Sequence, residues 1–214
     1  VDEALQAPRT AAEGNQTSAR YRGRAAWVFY YCRRYDEAAE AYSRLLDELD
    51  ADHLFAETRE VTREARMALS NIAAQKNDLL RAEEWLEQVL DEFPDDPGAL
   101  NDLGYLWTEQ GKYPLRAERM IRRAVAAEPD NAAFRDSLGW SLYKKGNFAE
   151  AVAELEKAAA EKPDGVVLDH LGDAYLKTGK HEKALAAWRK AAEHFRRDNE
   201  REKAEIVEKK LTQQ

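Results

Sequence analysis

The sequence has 214 residues, of which 35% are charged and 44% hydrophobic, with a formal net charge of −8 and one cysteine, Cys32. The negative balance argues against a general electrostatic affinity for nucleic acid or an anionic membrane surface. A lone cysteine rules out an intrachain disulfide framework and a cysteine-rich metal site, and no apolar run approaches the ~18 residues that would span a bilayer.

Residues 1–18, which include Pro8, Thr10, Gly14, Asn15 and Thr17, have no periodic apolar pattern and are expected to form a mobile N-terminal tail. The chain starts at Val1 and not Met, so it is expected to be processed or trimmed. That leaves the compartment open: cytoplasmic or, after removal of a signal, periplasmic or exported.

From Ala19 onward apolar residues recur at helical spacing. Tyr21, Ala25, Ala26, Phe29 and Cys32 mark one helix, Arg33–Asp36 a turn, and Ala38, Tyr42 and Leu45 a second helix. The stretch from Asp52 to Gln75 reads as one long helix, whose extra residues around His53–Thr62 belong to no repeat. Lys76–Asp78 supply the turn, and Ala82, Leu86 and Val89 mark the return helix, stopped before Pro94. Leu100, Leu103, Gly104 and Trp107 open a third hairpin, which Gly111 and Tyr113 turn and Ala117–Ala127 close. Pro114 stands at a helix start, where proline is tolerated. Two more hairpins follow, and Glu200–Leu211 reads as an amphipathic cap with Ala204, Val207 and Leu211 inward.

Two of these hairpins nearly repeat each other. Leu138-Gly139-Trp140-Ser141-Leu142-Tyr143 is answered by Leu171-Gly172-Asp173-Ala174-Tyr175, and Gly146-Asn147-Phe148-Ala149-Glu150-Ala151 by Gly179-Lys180-His181-Glu182-Lys183-Ala184. Gly139 and Gly172 are 33 residues apart, within the period expected of solenoids. Glycine inside a helix costs about 1 kcal/mol against alanine; that makes sense where a partner helix passes too close for a side chain. The expected organisation is therefore five hairpins, at about 19–52, 53–96, 97–131, 132–164 and 165–198, followed by a capping helix at 199–214. None could bury its apolar face alone.

Leu168-Asp169-His170-Leu171-Gly172-Asp173-Ala174-Tyr175 with Ala184 and Trp188, and Leu138-Gly139 with Leu142, Ala151, Leu155 and Pro163, resemble the tetratricopeptide repeat, W-x₂-L-G-x₂-Y…A-x₃-F…P. The unit at 97–131 is similar with one extra residue. The unit before it has Ser70 where glycine is usual, and the first keeps little beyond Tyr35, Ala38 and Tyr42. The resemblance implies an all-α, right-handed α-solenoid (superhelix) and a non-catalytic module that binds a peptide or partner protein in its concave groove. The alternative is a structural or self-assembling subunit, a homo-oligomer joined through its tail or groove.

In the family, first helices line the concave face. Carried over, that selects Trp27 and Tyr30 (with Arg20), Asn71 (with Glu64, Met67 and Ala74), and Asn101 and Tyr105 (with Thr108). It further selects Asp136, Trp140 and Tyr143, then Asp169 and Asp173 (with Leu176). Rings contribute contact area and amides can pair with an extended backbone. The family's Lys/Asn carboxylate clamp is not reproduced, since only Asn71 stands at a clamp-like place. The expected partner is therefore a protein or peptide segment with basic and apolar side chains, with no nucleic acid, no membrane span and no cofactor.

His170 and Asp173 could form half a metal site, but two further ligands are not apparent. Cys32, among Trp27, Tyr30 and Tyr31, is expected to be buried filler. No nucleophile–base arrangement or phosphate-binding loop is evident, and Arg116, Arg119, Arg122 and Arg123 read as an outer helix face with ion pairs.

Overall fold

The computed structural model describes residues 18–49 and 55–212. Among these residues there are eleven helices and no strand. They are α1 (Ala19–Tyr31), α2 (Tyr35–Leu49), α3 (Ala56–Gln75), α4 (Leu79–Glu92), α5 (Pro97–Gln110), α6 (Pro114–Ala127), α7 (Ala132–Lys144), α8 (Phe148–Glu161), α9 (Gly165–Lys177), α10 (His181–Arg197) and α11 (Arg201–Thr212). None is long and apolar enough to cross a membrane. The expected tail, apart from Ser18, and the expected helical stretch from Asp52 to Leu54 lie outside the described residues.

The chain divides into two compact units, Val1–Pro94 and Asp95–Gln214. In the first, α1 packs on α2, α3 on α4, and α3 also packs on both α1 and α2. In the second, the hairpins α5–α6, α7–α8 and α9–α10 stack in order, with α11 against α10. First helices also touch one another, α5 with α7 and α7 with α9. Each unit is thus an all-α stack of hairpins, in which every first helix meets its own return helix and, within a unit, α1 meets α3, α5 meets α7 and α7 meets α9.

Local chemistry places the helix ends. Asp96 accepts from the Ala99 amide at 2.7 Å, Asn131 from the amides of Ala133 and Phe134, and Asp164 from those of Val166 and Val167. Each such cap stabilises its helix by about 1 kcal/mol. Pro97 and Pro114 occupy first-turn positions that have no amide to bond. The turn after α7 uses Gly146 at φ 85°, whereas the hairpins without glycine there put Arg33 (φ 59°) and Asn77 (φ 60°) in the left-handed region.

Two local expectations are corrected. Helix α2 starts at Tyr35 and not after Asp36, because Arg33 reverses the chain and the Arg34 amide bonds the Phe29 carbonyl at 2.9 Å. Asp36 and Glu37 thereby fall in the first turn of α2, where the helix dipole favours acidic groups. Cys32 is exposed rather than buried, because it caps α1 beyond the turn that carries buried Ala26 and Val28.

Each hairpin closes on a pair of small residues. Ala38, Ala82, Ala117, Ala151 and Ala184 occupy equivalent places on the return helices and all have 0% exposure. Opposite three of them stand Gly104, Gly139 and Gly172. A β-carbon there would lie 2.7 Å from Ile121 Cγ1, 2.5 Å from Leu155 Cγ and 2.5 Å from Trp188 Cδ1, respectively. The glycine is therefore required less by the facing alanine than by the bulky residue one turn beyond it. At Ser70 the hydroxyl instead donates to the Ala82 carbonyl at 2.9 Å, which spares the hairpin a glycine.

Gly172→Ala tests this packing. The helix gains about 1 kcal/mol in intrinsic propensity, but displacing the buried Trp188 ring costs about 1–3 kcal/mol. We expect a net loss of stability, read as a lower urea midpoint; a raised midpoint would show that the indole has room to move.

Candidate functional site

The first helices of the C-terminal unit bring six of the sequence-selected residues into one wall. Tyr105, on α5, lies close to the charges of Glu109 and Asp136. Burial chiefly, with those two carboxylates, pushes its hydroxyl well above the ordinary tyrosine range. Trp140, on α7, donates its indole N–H to Glu109 Oε1 at 2.6 Å, and Lys144 Nζ lies 4.9 Å from its ring. Tyr143, one turn on, stacks nearly parallel to Trp140 at 4.8 Å. Its hydroxyl is also raised, by burial first and then by Asp173 and Asp169.

Asp136 does not face open solvent. It and His170 of α9 are both 8% exposed, and His170 Nδ1 lies 2.9 and 3.1 Å from the two carboxylate oxygens. The imidazole in turn stacks on Trp140 at 4.0 Å, 11° from parallel. Asp136, His170 and Trp140 thus fasten α7 to α9. Asp169 and Asp173, one turn apart on α9, are both bonded to Lys210 of α11, at 2.7 Å and at 2.8 and 2.9 Å. Trp188 also donates its indole N–H to Asp173 Oδ1, at 3.1 Å.

Asn101 is buried on α5, with its side-chain N–H donating to Asp102 and its Oδ1 without a partner among the described residues. It joins none of the contacts that link the wall.

In the N-terminal unit, Trp27 is 40% exposed, 4.3 Å from the Tyr31 ring and 4.6 Å from the Arg24 guanidinium. Tyr30 is half-buried between Tyr31 and Tyr35. Asn71 is exposed and accepts from Gln75 at 2.7 Å. Trp27, Arg20, Arg24, Tyr42 and Glu64 line a cavity of about 160 Å³. Tyr30 and Asn71 are not among its lining residues.

His170, Glu109, Trp188 and Lys210 went unselected. Lys177 falls 33 residues after Lys144 and Lys210 33 after Lys177, so the repeat register extended one helix further was the signal for Lys210. His170 sits one place beyond Asp169, the register counterpart of Asp136, and no spacing marked it. In the arginine cluster on α6, Arg122 bridges Glu118 and Glu150 and Arg123 pairs with Asp95, whereas Arg116 covers the Trp107 ring. A separate cleft of about 740 Å³ between α8, α9 and α10 is floored by Ala159, Leu168, Leu171 and Ala187 and shares no residue with the wall.

Models described as tetratricopeptide repeat match residues 24–97, 67–115 and 109–166 in one case, and 166–198 in another. The chain belongs to the tetratricopeptide repeat family. It is 36% identical over 104 residues to the TPR repeat-containing protein PA4667 of Pseudomonas aeruginosa. That stretch is 49% of this chain but only 18% of the relative's length. Similar solved structures include MamA MSR-1 C2, at 26% identity and TM-score 0.58, covering 84% of this chain and 98% of that one. The fold is also shared with TTC0263, a thermophilic TPR protein of Thermus thermophilus, at 22% identity and TM-score 0.68, covering 88% and 98%. YrrB, described as a TPR protein with an unusual peptide-binding site, matches at 21% identity and TM-score 0.62, covering 96% and 100%. Tetratricopeptide arrays are in general non-catalytic, and this chain's repeats mark it as a protein–protein interaction scaffold.

Asp136→Ala tests the fastening of α7 to α9. It leaves His170 without its buried hydrogen-bond partner and should cost about 1–3 kcal/mol, measured as a lower urea midpoint at unchanged slope. An unchanged midpoint would mean that stacking on Trp140 alone holds the imidazole.

Proposed function

We propose that the α5–α7–α9 wall of the C-terminal unit recognises a peptide or partner segment rich in basic and apolar side chains. The observation that supports this reading most is the composition of the wall. Tyr105, Trp140 and Tyr143 supply ring surface, beside four carboxylates (Glu109, Asp136, Asp169, Asp173) answered by the ammonium groups of Lys144 and Lys210. Aromatic area with surplus negative charge suits lysine or arginine stems, whose methylenes lie on rings while their heads meet carboxylates. The wall acts by presenting a rigid surface, since its polar groups are already oriented by one another and little ordering cost remains on binding.

The selected residues differ in what they offer. Tyr105 and Tyr143 are only partly buried and present ring area to a ligand. Asp136 contributes charge from beneath the surface and holds the indole in place. In the N-terminal unit, exposed Trp27 with Arg24 stacked on it is a second recognition surface, which on this reading contacts the partner independently.

The test is capture of partners from the source organism, then purified binding to the identified partner. Tyr105→Ala with Tyr143→Ala should weaken binding by about thirtyfold, the loss of roughly 2 kcal/mol typical of a central aromatic anchor. Leu115→Ala, on the return helix α6 and 68% exposed, serves as the control and should leave affinity unchanged. Binding should also weaken between low and physiological salt, as charges screen. Equal affinity for both variants, with helicity intact, would remove the wall from recognition.

A further inference from the structure

The acidic end of the wall is already occupied by a lysine. Lys210 Nζ makes three contacts under 3 Å, one to Asp169 and two to Asp173, and lies 5.9 Å from the Trp188 ring centre. The Trp188 N–H fixes Asp173 from the side, and Trp188 is itself locked in the core at 1% exposure. An ammonium offers three donors and no acceptor; here they meet carboxylates held by buried structure. Burial opposes the charge on Lys210, and the two aspartates more than offset it, so its ammonium is held above the ordinary lysine range. Burial in turn lifts the Asp169 carboxyl above its ordinary range, although Lys210 pulls the other way.

Two features distinguish this contact from a structural ion pair. The seat contains two carboxylates and receives one ammonium, so one negative charge is left over. The helix that delivers the ammonium is also lightly anchored: α11 buries only Ala204 and Val207, against eight buried residues on α9. In the 33-residue register Lys210 is the counterpart of Lys144 on α7 and Lys177 on α9, and α11 has no return helix among the described residues behind it.

We propose that Asp169, Asp173 and Trp188 form a seat for a primary ammonium, the lysine side chain of a partner segment, which Lys210 fills until a partner lysine exchanges for it. The assignment to a partner rests on the wall being a recognition surface; the seat itself does not. Exchange replaces one ammonium by another, so the aspartates are never left desolvated and unpaired. Lys210 holds its place through tethering, which raises its effective concentration to the millimolar range, and a lysine on a segment already held by the wall gains the same advantage.

The experiment uses the full chain and n-butylammonium, which reproduces the lysine stem and head, and follows the Trp188 indole N–H resonance, assigned with Trp188→Phe. In Lys210→Ala, butylammonium should shift that resonance saturably at millimolar concentration. The wild-type chain should need at least tenfold more, and Lys210→Ala with Asp173→Asn should not respond. Tetramethylammonium, with the charge but no N–H donor, should leave the resonance in place. Lys210→Met, which keeps the apolar stem, should respond as Lys210→Ala does, so that fraying of α11 in the alanine variant is separated from loss of the ammonium. An unresponsive indole in both Lys210 variants would overturn the seat, and an equal response in the wild-type chain would overturn its occupation by Lys210. Because neither peptide nor wall aromatics enter the titration, its failure is distinguishable from failure of the wall as a recognition surface.

Discussion

The close approach of the two helices in each hairpin is the constraint on which the C-terminal unit depends. Where Gly104, Gly139 and Gly172 stand, Ile121, Leu155 and Trp188 fill the space a β-carbon would take. That interlock sets the separation and rotation of each pair, and with it the direction in which the rest of the first helix points. Trp140 follows Gly139 and Asp173 follows Gly172. The residues that line the wall are thus placed by the glycines beside them.

From that interlock the wall follows as a chain of mutual contacts. The carboxylate of Glu109 receives the Trp140 indole, the indole stacks on His170, and His170 meets Asp136. Successive first helices are joined by polar bonds in a half-buried place, where such bonds are stronger than in water and costly to leave incomplete. The arrangement stiffens the stack and fixes the orientation of the polar and aromatic groups along the wall. Lys210 closes the row at its last helix.

The hairpins and their order were legible in the sequence because each depends on local signals: capping side chains, prolines after return helices, and small residues at a fixed offset. Even the weak first hairpin was readable from Ala38 and Tyr42. Its turn was misplaced because Arg33 adopts a left-handed conformation usually left to glycine. Cys32 was misread for a related reason. Its aromatic neighbours in sequence lie on α1, but the residue itself sits past the helix end, where the chain turns outward.

The sequence by itself determined the repeat, the helix pairs and the rows of residues that would share a face, because periodicity and steric exclusion act over a single turn or hairpin. Only the tertiary structure decided which of those residues remain available. Asp136 meets His170 34 residues away, and Asp169 and Asp173 meet Lys210 from a helix beyond the last full repeat. A charged side chain's partner is chosen by distance in space and by what burial leaves uncovered, and neither is written into the spacing of one helix.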